Sequence, residues 1–123
     1  MIDLPYIKDT IVFEDRFLKK IKSKDKIATI RNSPVALGYK QIEDDLIIEV
    51  VSCEKVLLKC NNKLLLNASL ALHCMGKALQ LHNKMGFESN DEMYDFYENY
   101  LKRDFAYLIK FEVVEQWEHS TKY

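Results

Sequence analysis

From Phe105 to Val114 the chain alternates, with Phe105, Tyr107, Ile109, Phe111 and Val113 at every second place and residues of mixed polarity between them. A period of two collects those five side chains on one face of a strand, whereas a helix of period 3.6 would scatter them. A strand of this kind requires a sheet, and its apolar face predicts a central position in that sheet. Partner strands are available upstream. Leu46-Ile47-Ile48-Glu49-Val50-Val51 is a run rich in β-branched residues that suits a buried strand, and Lys26-Ile27-Ala28-Thr29-Ile30-Arg31 reads as another. Between them, Asn32, Ser33, Pro34 and Gly38 break regular structure, which predicts a loop from Asn32 to Asp45. Val56-Leu57-Leu58 and Leu64-Leu65-Leu66 flank Asn61-Asn62, and because asparagine tolerates positive φ, this spacing predicts a hairpin.

Helical periodicity occupies the remaining segments. Phe13, Phe17 and Ile21 recur every fourth residue, with lysines between them, and predict a helix from Glu14 to Ser23 with one buried stripe. Leu70, Cys74, Ala78, His82 and Met85 trace one face of a second helix over Ala68 to Met85, with Gly86 placed to end it. Ser89-Asn90-Asp91-Glu92 has the spacing of a capping box. Met93, Phe96, Tyr97, Tyr100 and Leu101 then give a third helix its core stripe. The tail from Glu115 to Tyr123, with Trp117 as its anchor, is expected to be a short helix or partly flexible.

The chain has 123 residues, 48% of them apolar, which is enough for one core and too little for two, so residues 1–123 are expected to form a single α+β domain. No apolar run approaches the roughly 20 residues of a membrane span, and Met1-Ile2-Asp3-Leu4-Pro5 lacks the order of a secretory signal. A cytoplasmic location without a membrane partner is the expectation. Cys53, Cys60 and Cys74 are expected to be reduced, mostly buried thiols.

Charge is distributed unevenly along the sequence. Arg16, Lys19, Lys20, Lys22, Lys24, Lys26 and Arg31 lie within sixteen positions that contain one acid, Asp25. From Met85 onward, nine acids accompany four bases. A concentrated basic stretch can neutralise phosphates and release their counterions, and so favours an anionic partner. The competing reading is that Lys19, Lys20 and Lys22 form the solvated face of an amphipathic helix.

Ile11-Val12-Phe13-Glu14-Asp15-Arg16-Phe17, then Ile21, then Lys26 to Arg31, resembles the opening of the ASCH family, in which a short helix leads into a strand carrying K-x-x-T/E-x-R. Gly86-Phe87-Glu88-Ser89 through Met93, ending in Tyr107-Leu108-Ile109-Lys110-Phe111, resembles the family's closing G-F, helix and final strand. The resemblance covers about half of the chain. It implies a small PUA-like (ASCH) β-barrel or strongly curved sheet with about three flanking helices, and RNA-related work. One branch of small bacterial members hydrolyses acetylcytidine. The sequence departs from that branch where its carboxylate is expected, a place taken here by Met85, and from the family's Gly-Asp pair, since Gly38 precedes Tyr39.

On this resemblance the candidate site is Lys26, Thr29 and Arg31, with Lys24, Arg16 and Lys20 as further binding residues. A lysine is a phosphate contact, or a general base where desolvation lowers its pKa. Threonine donates a hydrogen bond or, beside a base, attacks an amide carbonyl. Arginine's planar fork suits a phosphate or a base edge, and its plane stacks on a nucleobase. Strict alternation puts Thr29 and Arg31 on one strand face and Lys26 on the other, unless Lys26 lies at the strand's irregular start or a bulge intervenes. Two functions are expected from this set: a module that binds RNA or a nucleoside through a basic cleft, or an amidohydrolase on acetylcytidine with Lys26 as base and Thr29 as nucleophile or polarising donor. Neither needs a cofactor. Cys53, Cys60, His73, Cys74 and His82 lack the spacing of a zinc site, and Tyr94, Tyr97, Tyr100 and Tyr107 are candidates for a base-stacking platform, although most lie at core spacing and packing is the preferred reading for Tyr97 and Tyr100. There is no P-loop, dinucleotide-binding, zincin or serine-hydrolase motif.

Overall fold

A computed structural model describes residues 9–43, 46–73, 75 and 81–114. Among these, six strands and four helices follow in the order α1 (Asp15–Lys22), β1 (Ala28–Arg31), β2 (Gly38–Glu43), β3 (Leu46–Leu57), β4 (Lys59–Cys60), β5 (Lys63–Leu64), α2 (Leu66–Leu72), α3 (Leu81–Lys84), α4 (Asn90–Tyr100) and β6 (Phe105–Val113).

The alternating segment lies inside the main sheet, but its buried side chains are Ala106, Leu108, Ile109 and Phe111, whereas Phe105, Tyr107 and Val113 of the expected face are half-buried. β6 is flanked by β1 and β3 in a four-stranded antiparallel sheet of order β1-β6-β3-β2. Among the described residues the sheet is open, because β1 and β2 form its two edges and do not pair with each other. Of the two expected forms, the closed barrel is therefore not the one adopted. Irregularities between Val50 and Ser52 and between Gln41 and Glu43 interrupt the ladders, which bends strands and increases their twist.

Each edge meets another part of the chain. On β2, Gln41 exchanges backbone hydrogen bonds with Asp9 and Ile11, and the Lys40 ammonium pairs with Asp9 at 3.0 Å. On β1, the Ile30 amide donates to the Tyr97 hydroxyl of α4. The core between sheet and helices gathers Phe13, Phe17 and Ile21 from the α1 region, Ile30 from β1, Ile48 and Val50 from β3, Met93 and Tyr97 from α4, and Leu108 from β6.

Several segments differ from the sequence expectation. The loop expected from Asn32 to Asp45 contains β2, and β3 runs on to Leu57 so that it absorbs most of Val56-Leu57-Leu58. The hairpin does turn at Asn61 and Asn62, whose φ values are 52° and 66°, although its strands are only two residues long. The helix expected over Ala68 to Met85 is divided, since α2 stops at His73, whose φ of −95° and ψ of 23° leave the helical region. Leu70 and Met85 are buried as expected, whereas Cys74 and Ala78 lie outside the described residues, as does the tail from Glu115. Cys53 is half-buried but Cys60 is exposed on the hairpin, which corrects the expectation of mostly buried thiols.

Ser89 caps α4 by accepting a hydrogen bond from the Glu92 amide at 3.1 Å. Glu92 in turn reaches back to the Glu88 amide at 2.9 Å, one residue before the position that a reciprocal box would use.

Candidate functional site

Lys26 lies ahead of β1 and is therefore not bound by that strand's alternation. Its amide donates to Lys20 O at 3.0 Å, and the next amide, of Ile27, donates to Lys84 O at 2.8 Å. This irregular entry turns the Lys26 side chain into the protein, where the residue is 1% exposed. The Nζ donates to Ala28 O at 2.8 Å and to Met85 O, and it stands 4.6 Å from the centroid of the Phe17 ring. Among the described residues no carboxylate pairs with it. Burial pushes the amine well below its ordinary value, and the guanidinium groups of Arg31 and Arg16 push it further in the same direction.

Gly86 is part of the same arrangement. Its φ of +92° lies in a region that a side chain rarely adopts, and a Cβ there would come within 2.7 Å of Lys26 Cδ. The Gly-Phe pair thus lets the turn before α4 close over the lysine stem, while Phe87 packs edge-on against Phe17 with centroids 5.2 Å apart.

Thr29 and Arg31 share a cavity of about 130 Å3, bounded also by Phe13, Glu14, Phe17 and by Phe96, Tyr97 and Tyr100 of α4. Phe96 and Tyr100 are stacked, with centroids 5.5 Å apart and 20° between planes. The Arg31 guanidinium lies over Phe13 at 4.9 Å, and its Nη2 donates to Val12 O. Tyr97 is buried, accepts a long hydrogen bond of 3.4 Å from the Ile30 amide and interacts with the Thr29 hydroxyl. Burial pushes the phenol up to about 12, so it keeps its proton throughout the neutral range.

The six expected site residues are therefore not one cluster. Thr29 and Arg31 converge on the cavity. Arg16 lies beside it, with its guanidinium 4.7 Å from Phe17 and 4.9 Å from Phe96 and with ion pairs to Glu14 at 3.3 Å and Glu92 at 4.0 Å. Lys26 and Lys24 instead border a separate hollow of about 270 Å3 with Ile27, Phe111, Glu112 and Val113. Lys20 pairs with Glu88 at 3.1 Å. Met85 is buried in the core, and the contact it offers Lys26 is its backbone carbonyl.

Tyr97 and Tyr100, which the sequence offers as stacking candidates but whose spacing favours packing, both bound the cavity. A signal was present, since a tyrosine at a core position needs a partner for its hydroxyl, whereas a phenylalanine would not. No group of three or more potential metal-binding side chains occurs among the described residues. None of the described helices is long and apolar enough to cross a membrane. No protein-family model, curated protein or solved structure matches the chain.

Proposed function

We propose that this chain is an ASCH-like domain that binds RNA or a nucleoside by taking one base into the cavity beside Thr29 and Arg31. The observation that carries this reading is the pairing of an aromatic wall, Phe96 stacked on Tyr100, with a guanidinium and a hydroxyl in the same cavity. Stacking holds a base of any sequence, and the polar groups select its edge. The size fits this use. At about 130 Å3 the cavity is well under the roughly 300 Å3 of a site for a drug-sized ligand, so it suits a single ring, with the sugar and phosphates left outside.

The experiment is calorimetric titration of the chain with nucleosides and with short single-stranded RNA. Truncating an aromatic stacking partner costs about 1–3 kcal/mol per base. Tyr100→Ala and Arg31→Ala should each weaken binding on that scale. Absence of binding by every nucleoside and RNA tested, or affinities unchanged in both variants, would end this reading.

The amidohydrolase alternative draws support from the lowered pKa of Lys26, since desolvation that lowers an amine's pKa makes it a better general base at neutral pH. Against it, the Lys26 Nζ is engaged with two carbonyls, and Lys26 borders a different hollow from the one next to Thr29. Wild-type protein should therefore release little cytidine from acetylcytidine. Turnover that disappears in both Lys26→Met and Thr29→Val would reverse the order of the two readings.

A further inference from the structure

The cavity next to Thr29 holds more hydrogen-bond donors than the protein itself satisfies. Thr29 and Tyr97 are 7% and 2% exposed, and each hydroxyl brings one proton. Their contact with each other uses one of the two protons. The other contact on the Tyr97 oxygen is one that it accepts, from the Ile30 amide. Both hydroxyls therefore keep hydrogen-bonding capacity on the side of the cavity that they border. Arg31 is in a similar state: Nη2 donates to Val12 O, while the Nε is buried and has no partner among the described residues. Glu14, a carboxylate on the cavity's border, is held by Arg16.

A buried donor without an acceptor is uncommon in proteins, and here one, Arg31 Nε, belongs to a residue that borders the same cavity as the Thr29 and Tyr97 hydroxyls. We infer that Arg31 Nε and the Thr29–Tyr97 hydroxyl pair form a seat for one oxygen atom of the ligand. The group bound there is then a carbonyl or an oxyanion. This deepens the reading under Proposed function and rests on it for one further step: a base that enters the cavity is one with a ring carbonyl, in preference to adenine, which has none. An adenine would leave the same donors buried and unpaired, and a site built to hydrogen-bond a ligand discriminates strongly against an analogue without the matching group.

The test is a 15N NMR titration of the full chain with uridine, with adenosine and with inorganic phosphate, following the Arg31 Nε–H signal, which is assigned by its loss in Arg31→Lys. Uridine should move that signal and bind at least tenfold more tightly than adenosine. Tyr97→Phe should bring uridine down to the level of adenosine, and Thr29→Val, which removes the other hydroxyl, should do the same where the tyrosine change disturbs the fold. If uridine and adenosine bind equally and leave the Arg31 signal in place, the oxygen seat is wrong and the nucleoside reading survives. If phosphate alone moves the signal, the seat stands as an oxyanion site and the nucleoside reading falls. No response to any of the three would remove both.

Discussion

Lys26 carries an amine into the core with two carbonyls and an aromatic face around it, and the physical consequence is a pH dependence of stability. A lysine whose folded pKa is depressed binds fewer protons in the folded than in the unfolded chain between its two pKa values, so stability rises with pH across that window. The window extends from the depressed value up to the usual one near 10.5. The stability that the neutral amine contributes is present above 10.5 and is lost as pH falls through the folded value. Chemical denaturation of the wild type at a series of pH values should therefore give a positive slope in the alkaline range that is reduced in Lys26→Met. Equal slopes in the two proteins would mean that the amine is not desolvated.

Gly86 belongs to the same scale. Gly86→Ala meets both an unfavourable φ and the Lys26 stem, and should destabilise the fold by about 2 kcal/mol or more, as measured by denaturant unfolding. Shortening the stem in Lys26→Ala should relieve the steric part of that cost but not the backbone part. Part of this was legible in the sequence, where alternation set Lys26 apart from Thr29 and Arg31 unless it lay at the strand's irregular start, but its burial was not. A lysine before a strand looks like an ordinary charged position, and its burial follows from the path between α1 and β1, which brings Lys26 and Ile27 into contact with the backbone of Lys20 and Lys84.

At the level of elements, the segments that were legible are those whose pattern matches their surroundings. β6 was legible as a strand of the main sheet, although its burial crosses from Ala106 and Leu108 to Ile109 and Phe111 and does not follow the expected face, and α1 has its stripe of Phe17 and Ile21 buried as spaced. β2 was missed for a specific reason: over Gly38–Glu43 the buried position is Lys40, so the residue facing the core is charged and the alternation is disguised. The divided helix was missed because α2 and α3 lie on one continuous helical period, and nothing in His73-Cys74-Met75 is a strong breaker.

Two measurements test the elements. Ser89→Ala removes the acceptor for the Glu92 amide and should cost about 1 kcal/mol of stability. In native-state hydrogen exchange, the amides of β6 should be among the slowest, since both of its edges are paired within the main sheet, and those of the short β4–β5 hairpin should exchange much faster. Fast exchange along β6 would contradict its central position.

For the molecule as a whole, the uneven charge along the sequence is partly reconciled in space. Lys20 meets Glu88 and Arg16 meets Glu92, so the basic first helix faces acids from the second half of the chain. Lys22 pairs with Glu43, and Lys26 is buried. Sequence position told which charges exist but not which face each other, because the pairing depends on how α1 and α4 pack. Bases already paired with acids release few counterions when RNA arrives. The slope of log affinity against log salt should then be shallow, with a magnitude below about 2, and Lys19→Ala with Lys20→Ala should change it little. A steep slope that collapses in that double variant would restore the basic helix as the main RNA contact.

The two edges of the open sheet have a consequence for the behaviour of the protein at high concentration. A bare edge strand is a template on which a second chain can extend the sheet, and uncontrolled growth of that kind leads to aggregates. Here Asp9 and Ile11 engage the backbone of β2, where Lys40 also carries a charge, and Tyr97 meets the backbone of β1. Loss of the first of these guards, for example by Asp9→Pro with Lys40→Val, would leave the backbone of β2 open to another copy. That variant should form thioflavin-binding assemblies under conditions in which the wild-type chain scatters no light.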